Sequence, residues 1–219
     1  MFSYYGGKSK IIKYYPEPIY DTIIEPFAGS ARYSLRFFEK NYWLNDSYKI
    51  ISDIWNWIIN LTPKDIAGIP ELHKGDDLRN LDIDPIVRSF LGFVINSGVA
   101  YPHNVVTKWC EEKKEFIRHK ARLLKYCGKL THWKVTNLDY LELPDIEATW
   151  FIDPPYQNGG DRYIKKDIDY NKLAEWCLSR KGQVIVCENS SADWMPFKPL
   201  KELYGQKKKT LEVIWYKEK

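Results

Sequence analysis

One acid, two prolines and an aromatic residue, Asp153-Pro154-Pro155-Tyr156, directly follow a predicted strand at 148–152. Open α/β folds bind ligands at the carboxyl ends of their strands, so this position suits an active site. Asp153 and the carbonyl of Pro154 could accept the two hydrogens of an amine, and Tyr156 could stack on an unpaired base. The tetrapeptide thus predicts catalysis at the exocyclic amine of a base. A Pro-Pro turn after a buried strand is the structural alternative.

Three further motifs stand at predicted strand ends or at the start of the sequence. They are Tyr4-Tyr5-Gly6-Gly7-Lys8, then Glu25-Pro26-Phe27-Ala28-Gly29-Ser30 after a first strand, and Leu44-Asn45-Asp46 at the end of a second. Gly29 permits a tight turn and the close approach of backbone to a ligand. Asp46 is placed where a carboxylate can accept both hydroxyls of a ribose. A plain turn and a helix N-cap are the alternatives for these two residues.

The elements that must position these motifs follow from hydrophobic periodicity. Strands are predicted at 22–24, 42–44, 133–136, 148–152, 183–187 and 211–216, and helices at 31–40, after 46, at 86–95 and at 111–125. The alternation βαβα predicts an α/β fold with a parallel sheet, and the β pattern disappears from about 63 to 133. We therefore predict a catalytic domain formed by 1–60 and 133–219, and an inserted small helical lobe at 61–132.

Charge is concentrated in the predicted lobe. The net charge of the chain is only +4, but residues 108–134 contain nine Lys or Arg and three Glu, about +6 by direct count. A second basic cluster is Lys207, Lys208 and Lys209. Such clusters permit nucleic acid as a partner, and a solvated surface is the alternative. The helix at 111–125 is predicted to be amphipathic, with Phe116, Ile117, Leu123 and Leu124 facing one way.

Several classes of protein are disfavoured by composition. The four cysteines show no CxxC pair or metal-ligand spacing, so we expect reduced thiols and no metal site. No run approaches the ~18 apolar residues of a membrane span, and residues 1–5 lack the character of a signal peptide. We therefore expect a cytoplasmic protein without a membrane partner.

The four motifs, in identity and in order, resemble the Dam-type (group alpha) site-specific DNA adenine-N6 methyltransferases. The resemblance spans most of the chain and weakens in the helical lobe. It implies a Rossmann-like fold that depends on S-adenosylmethionine (SAM), and transfer of a methyl group to N6 of an adenine flipped out of double-stranded DNA. It further implies that Asp153, Pro154, Pro155 and Tyr156 are the catalytic residues.

The resemblance also implies a cofactor site. In the family, residues matching Tyr4, Lys8, Asp46 and Asp153 contact SAM. The segment Asn137-Leu138-Asp139-Tyr140 looks like the family's segment beside the cofactor adenine, with a simple turn as its alternative. The full predicted cofactor set comprises Tyr4, Gly6, Gly7, Lys8, Pro26, Phe27, Gly29, Ser30, Asp46, Asp139 and Asp153.

The sequence departs from the family at two places. Ala31 stands where relatives often have a second glycine, and the segment 96–104 contains no arginine where relatives have an Arg- and Asn-bearing hairpin. Tyr101 or His103 is predicted to read or replace a base. Phosphate contacts are predicted for the basic residues Lys108, Lys113, Lys114, Arg118, Lys120 and Arg122.

Other functions are compatible with the same motifs. N4-cytosine methylation uses the same amine chemistry, and an RNA adenine methyltransferase is a further alternative. A catalytically silent nucleic-acid-binding module is a rival of another class, against which the intact tetrapeptide argues. By family analogy we expect a nucleoid-associated protein of prokaryotic or phage origin. A restriction-modification role with a companion restriction endonuclease, the recognition sequence and the oligomeric state are left open.

Overall fold

Seven strands form one mixed sheet in the computed structural model, which describes residues 1–96, 98–204 and 209–218. Their order across the sheet is β3-β2-β1-β4-β5-β7-β6. Neighbours among β1 to β5 pair in parallel, whereas β7 runs antiparallel to β5 and β6. The strands are β1 (Thr22–Glu25), β2 (Asn41–Asn45), β3 (Lys134–Thr136), β4 (Ala148–Ile152), β5 (Gly182–Asn189), β6 (Lys198–Tyr204) and β7 (Lys209–Lys217).

Helices connect the parallel strands, as the sequence pattern predicts. They are α1 (Arg32–Arg36), α2 (Lys49–Ile59), α3 (Pro63–Ala67), α4 (Pro85–Val94), α5 (Lys108–Glu112), α6 (Glu115–Tyr126) and α7 (Tyr170–Ser179). Short 3₁₀ turns lie at Ile12–Tyr14, Leu78–Asn80 and Tyr140–Glu142. Helices α2 to α6 all lie between β2 and β3 in the chain. The α/β, Rossmann-like fold expected from the sequence is confirmed.

The strand order creates a switch point between β1 and β4. From β1 the sheet grows through β2 to β3 on one side and through β4 to β5 on the other. Loops that leave the carboxyl ends of β1 and β4 therefore diverge and open a crevice, the usual ligand site of open α/β sheets. All five residues of β4 are buried, as expected for a strand covered on both faces.

Two apolar clusters cover the two faces of the sheet. One contains Trp150 of β4 and Trp176 of α7, whose rings meet edge to face with centroids 5.5 Å apart. The other joins Ile23 of β1 to Phe90 of α4 and Leu123 of α6. The helices between β2 and β3 thus share a core with the sheet. The division at residues 60 and 132 stays a prediction.

The predicted helix at 111–125 differs from the structure. It is two helices, α5 and α6, separated at Lys114, whose φ of 51° lies in the left-handed region. The prediction that Phe116, Ile117, Leu123 and Leu124 face one way is wrong, because Leu123 is buried whereas Ile117 is 62% exposed and Leu124 is 54% exposed. The packed face runs instead through His119 and Leu123, because the His119 ring is buried in a hydrogen bond to the Met1 carbonyl.

Two other elements were mispredicted in extent or missed. The helix predicted at 31–40 is the five-residue α1, because the chain turns after Arg36. Strand β6 was missed since its sequence, Lys-Pro-Leu-Lys-Glu-Leu-Tyr, has weak β character. It forms the outer edge of the sheet, where proline is tolerated. The predicted basic cluster at Lys207 and Lys208 lies outside the described residues, whereas Lys209 begins β7.

Candidate cofactor and active site

A cleft opens at the carboxyl edge of β1 and β4, with about 600 Å³ of free space including its mouth. Three stretches far apart in the chain form most of its wall. The residues that line it are Tyr4, Tyr5, Gly6, Gly7, Lys8, Glu25, Phe27, Ala28, Gly29, Ser30, Ala31, Arg32, Tyr33, Asp46, Ser47, Tyr48, Phe151, Asp153, Pro155, Tyr163 and Lys165.

Two glycines make the cleft wall at places where a side chain would not fit. Gly6 has φ of 74°, and a Cβ there would lie 2.1 Å from the hydroxyl oxygen of Tyr163. Gly29 has φ of 46°, and its Cβ would lie 3.0 Å from the ring of Tyr4. Both positions therefore require glycine for conformation and for space. Ala31, where relatives often have glycine, also adopts a left-handed φ, of 45°.

Asp46 fixes the glycine loop from the neighbouring strand. Its Oδ2 accepts from the amide of Gly29 at 3.0 Å, and its Oδ1 accepts from the amide of Tyr48 at 2.9 Å. Burial raises the pKa of Asp46 to about 6, and the two amide hydrogen bonds oppose that rise. Asp46 is not the N-cap of α2, because Tyr48 holds that position. On the other side of the loop, Trp55 Nε1 donates to the Gly29 carbonyl at 2.8 Å.

Lys8 lies at the centre of a buried polar cluster. Its Nζ is 2.9 Å from Asp153 Oδ1 and 3.2 Å from Glu212 Oε1, and it hydrogen-bonds the hydroxyl of Tyr156. Burial alone would lower the pKa of Lys8, but the two carboxylates reverse the effect and raise it. Burial raises the pKa of Asp153 to about 6, a shift that Lys8 opposes and Glu212 reinforces. The two carboxylates therefore favour the charged form of Lys8, while burial makes Asp153 a weaker acid than a free aspartate, with its pKa raised.

The tetrapeptide is held by this cluster and by α7. The Tyr156 hydroxyl donates to Glu212, and Lys8 Nζ lies over the Tyr156 ring, 4.3 Å from its centroid. The carbonyl of Pro155 accepts from the Tyr170 hydroxyl at 2.8 Å. Among the described residues, no hydrogen bond reaches the carbonyl of Pro154. Stacking of Tyr156 on a base stays a prediction.

Two predicted cofactor residues lie outside the cleft wall. The carbonyl of Pro26 accepts from Asn45 Nδ2 at 3.1 Å, so this residue serves the turn after β1. Asp139 caps the turn at Tyr140–Glu142, where its side chain accepts from the Leu141 amide at 2.9 Å. A role for either residue in cofactor binding stays a prediction.

The loop predicted to read or replace a base lies beside the cleft. The Tyr5 amide donates to the Val99 carbonyl at 3.1 Å, which joins this loop to the amino-terminal wall. Tyr101, 52% exposed, stacks on His103 with ring centroids 5.1 Å apart and planes 8° apart. The loop thus presents a stacked ring pair in which Tyr101 is exposed and His103 is half-buried.

The six basic residues predicted to contact phosphates are not equivalent. Lys108 pairs with Glu112 at 3.3 Å, and Arg118 pairs with Glu115 at 2.8 Å, each within its own helix. Lys120 donates to the Ile69 carbonyl at 3.3 Å. Lys113 and Lys114 are exposed, and Arg122 is half-buried. Contact of these side chains with DNA stays a prediction.

Several polar residues in or beside the site were not found by sequence reasoning, among them Glu25, Arg32, Tyr163 and Glu212. Glu25 ends β1, where it accepts from the Ser34 amide at 2.8 Å, and burial raises its pKa to about 8. Glu212 could have been noticed as a carboxylate inside the apolar alternation of β7. Arg32 is the first residue of α1 and Tyr163 lies in a loop, and no sequence pattern marks either of them.

The chain is similar in sequence to one family of enzymes. Residues 4–83 match the family model of the D12 class N6 adenine-specific DNA methyltransferases. No curated protein sequence matches the chain significantly. A solved structure of yhhF from Escherichia coli, provisionally named a methyltransferase, is 12% identical, with a TM-score of 0.39 over 96% of this chain and 80% of that one. The family match at residues 4–83 confirms the resemblance to the adenine-specific DNA methyltransferases that the sequence motifs predict.

Proposed function

We propose that the cleft binds SAM and that the enzyme transfers the methyl group to N6 of an adenine flipped out of double-stranded DNA. One observation carries the proposal. Asp153, at the end of β4, shares one cleft with the glycine loop after β1 and with Asp46 after β2. A base amine and a cofactor could therefore meet at the switch point of the sheet.

The cleft fits the chemistry of the cofactor. Gly6 and Gly29 leave space where any other residue would place a Cβ. Asp46 keeps carboxylate lone pairs beyond the two that its amide partners use, and these can accept ribose hydroxyls. Carboxylates at Asp46 and Asp153 favour a cation at the site. When bound, SAM supplies a methyl group activated by its sulfonium charge.

The residues of the tetrapeptide would orient the amine. Asp153 and the Pro154 carbonyl would accept its two hydrogens, so that the nitrogen lone pair is localised towards the methyl group. Tyr156 would stack on the base with the ring face opposite Lys8. Orientation of this kind can contribute about 7–11 kcal/mol to catalysis. The base has to leave the stack, because N6 cannot reach the cleft from inside a duplex.

The segment 61–132 would hold the DNA. Exposed Lys113 and Lys114 would neutralise phosphates, with Lys108, Arg118, Lys120 and Arg122 as further candidates. Tyr101 or His103, beside the cleft, would contact or replace the flipped base. Methylation within the nucleoid, with or without a companion endonuclease, follows from this proposal only by family analogy. No helix in the described part of the chain is long and apolar enough to cross a bilayer.

The test is transfer of labelled methyl from SAM to mixed-sequence DNA, followed by digestion to nucleosides. Wild-type protein should yield N6-methyladenine, and Asp153→Ala should lower the rate by about 10³-fold. The matched control is Asp21→Ala, since Asp21 is 91% exposed at the opposite end of β1 and, within the described part of the chain, forms an ion pair only with Lys40. N4-methylcytosine as the sole product would refute the base assignment. Equal transfer by wild type and Asp153→Ala would refute the mechanism.

A further inference from the structure

Resting on the function proposed above, we propose that Glu212 of β7 is a positioning residue for methyl transfer, which holds Lys8 and Tyr156 so that Asp153 stays free to accept the amine. Glu212 does not line the cleft. It acts on the reaction only through the side chains that it contacts.

Three side chains converge on one oxygen of Glu212. Its Oε1 accepts from the Tyr15 hydroxyl at 2.6 Å and from the Tyr156 hydroxyl, and it lies 3.2 Å from Lys8 Nζ. The Glu212 side chain is 8% exposed. A buried carboxylate is costly unless it is paired and hydrogen-bonded, and here both requirements are met. Such a fully partnered group restrains the position of every side chain that it binds.

The neighbouring strand fixes Glu212 in turn. Strand β7 pairs with β5 in antiparallel orientation, and in this pairing Glu212 lies opposite Asn189 of β5. The side chain is therefore mounted on a strand rather than a loop. Sites built on strands hold a geometry more closely than sites on loops.

The charge balance explains why two carboxylates share one lysine. If Lys8 bound Asp153 alone, the full ion pair would weaken Asp153 as an acceptor for a third partner. Glu212 draws part of the ammonium charge to itself, at 3.2 Å against 2.9 Å for Asp153. The sharing leaves Asp153 bound to Lys8 through Oδ1, while its second oxygen has no ion-pair partner in the described part of the chain.

Several titratable groups surround Asp153, and all of them contribute to its pH dependence. The variants compared in a pH test must therefore leave these groups unmutated, apart from the one under test. Lys8 and Glu212 lie closest and act in opposite directions on the pKa of Asp153. Further groups that interact with Asp153 come from β1, β5, the amino-terminal segment and the loop after β4: Glu25, Cys187, Glu188, Tyr15, Tyr156 and Tyr163.

The experiment compares Glu212→Gln with Glu175→Gln, a control at an exposed position of α7. In Glu212→Gln, kcat should fall by about tenfold or more, since a charged hydrogen-bonding partner of Lys8 is lost. The Kd for SAM, measured by calorimetry without DNA, should rise by a smaller factor than kcat falls. The acid limb of kcat/KM should move to lower pH, because the negative charge that raises the pKa of Asp153 is removed.

The outcomes separate this proposal from the proposed function. Without methyl transfer by wild type and Glu175→Gln, the proposed function fails and the role of Glu212 fails with it. If both are active and Glu212→Gln equals them, only the role of Glu212 is refuted. A purely structural role, which also refutes it, would lower thermal stability, weaken SAM binding in step with kcat, and leave the acid limb unmoved.

A second variant keeps the proposal testable if Glu212→Gln does not fold. Tyr15→Phe removes one hydroxyl that donates to Glu212 and keeps the ring, which packs edge to face on Phe151. Its kcat should fall by about two- to fivefold, with the Kd for SAM unchanged. An unchanged kcat in Tyr15→Phe would overturn the proposal.

Discussion

The cleft and the segment 61–132 both contain lysine–carboxylate pairs, but in opposite environments. Lys8 is buried between Asp153 and Glu212, whereas Lys108 pairs with Glu112 one helical turn away and is 68% exposed. Partners in the cleft are far apart in the chain, such as Lys8 and Tyr156, separated by 148 positions. The cleft therefore depends on the whole fold, while the charges of the segment are local. Substitutions should lower the free energy of unfolding strongly in the cleft and only slightly in the segment 61–132.

The largest expected effect is on stability, from Lys8→Met compared with Lys108→Met. Removing Lys8 leaves the buried Glu212 and the half-buried Asp153 without their cation, which should lower the free energy of unfolding by about 3–5 kcal/mol. Lys108→Met breaks only an exposed i,i+4 pair and should cost less than about 0.5 kcal/mol. Urea unfolding at pH 7.5 measures both. Similar losses for the two variants would remove the contrast between the regions.

The next effect is on DNA binding. Lys108→Glu, Lys113→Glu and Lys114→Glu combined should weaken DNA binding by about 100-fold near 0.15 M salt and reduce the salt slope by about 2.7, because three phosphate contacts are lost. Fluorescence anisotropy with labelled duplex across a salt series measures both quantities.

A charge-matched control uses three exposed lysines outside the segment 61–132, which lie on α7, shortly after α7 and on β6. Lys172→Glu, Lys181→Glu and Lys198→Glu change net charge equally. If the two triple variants bind DNA equally weakly, the effect comes from overall charge and the segment 61–132 has no special role. An unchanged affinity in the first variant would refute the predicted phosphate contacts.

The smallest expected effect concerns pH. Burial raises the pKa of Asp46 from 3.8 to about 6, so the folded state binds a proton more tightly than the unfolded state. The contribution of this group to stability is full below pH 3.8 and is lost as pH rises through about 6. The stability of Asp46→Asn relative to wild type should therefore improve by up to about 1 kcal/mol between pH 4.5 and pH 7.5. Urea unfolding that gives the same difference at both pH values would contradict this.

The sequence predicted much of the fold because strand and motif signals are local. The apolar run 148–152 predicts a strand by its composition, and the structure contains β4 at those residues. The glycine loop is likewise recognisable from its sequence, and it follows β1. Glu212 was not predicted, because its importance comes from a pairing of β7 with β5 that joins distant parts of the chain. The exposure of Ile117 has a similar cause, since the position of α6 is set by His119 and Met1. The sequence pattern predicts secondary-structure elements and motifs, whereas packing between distant parts of the chain decides which polar side chains share a site.

The cluster around Lys8 has a consequence for synthesis of the protein. Its members come from positions 8, 153, 156 and 212, so a ribosome-bound chain that has reached residue 200 contains the tetrapeptide but not its last carboxylate. Strand β5 at that stage also lacks β7, its antiparallel neighbour. Contacts this distant in sequence form late in folding. A nascent chain of that length is therefore expected to lack the complete cluster around Lys8.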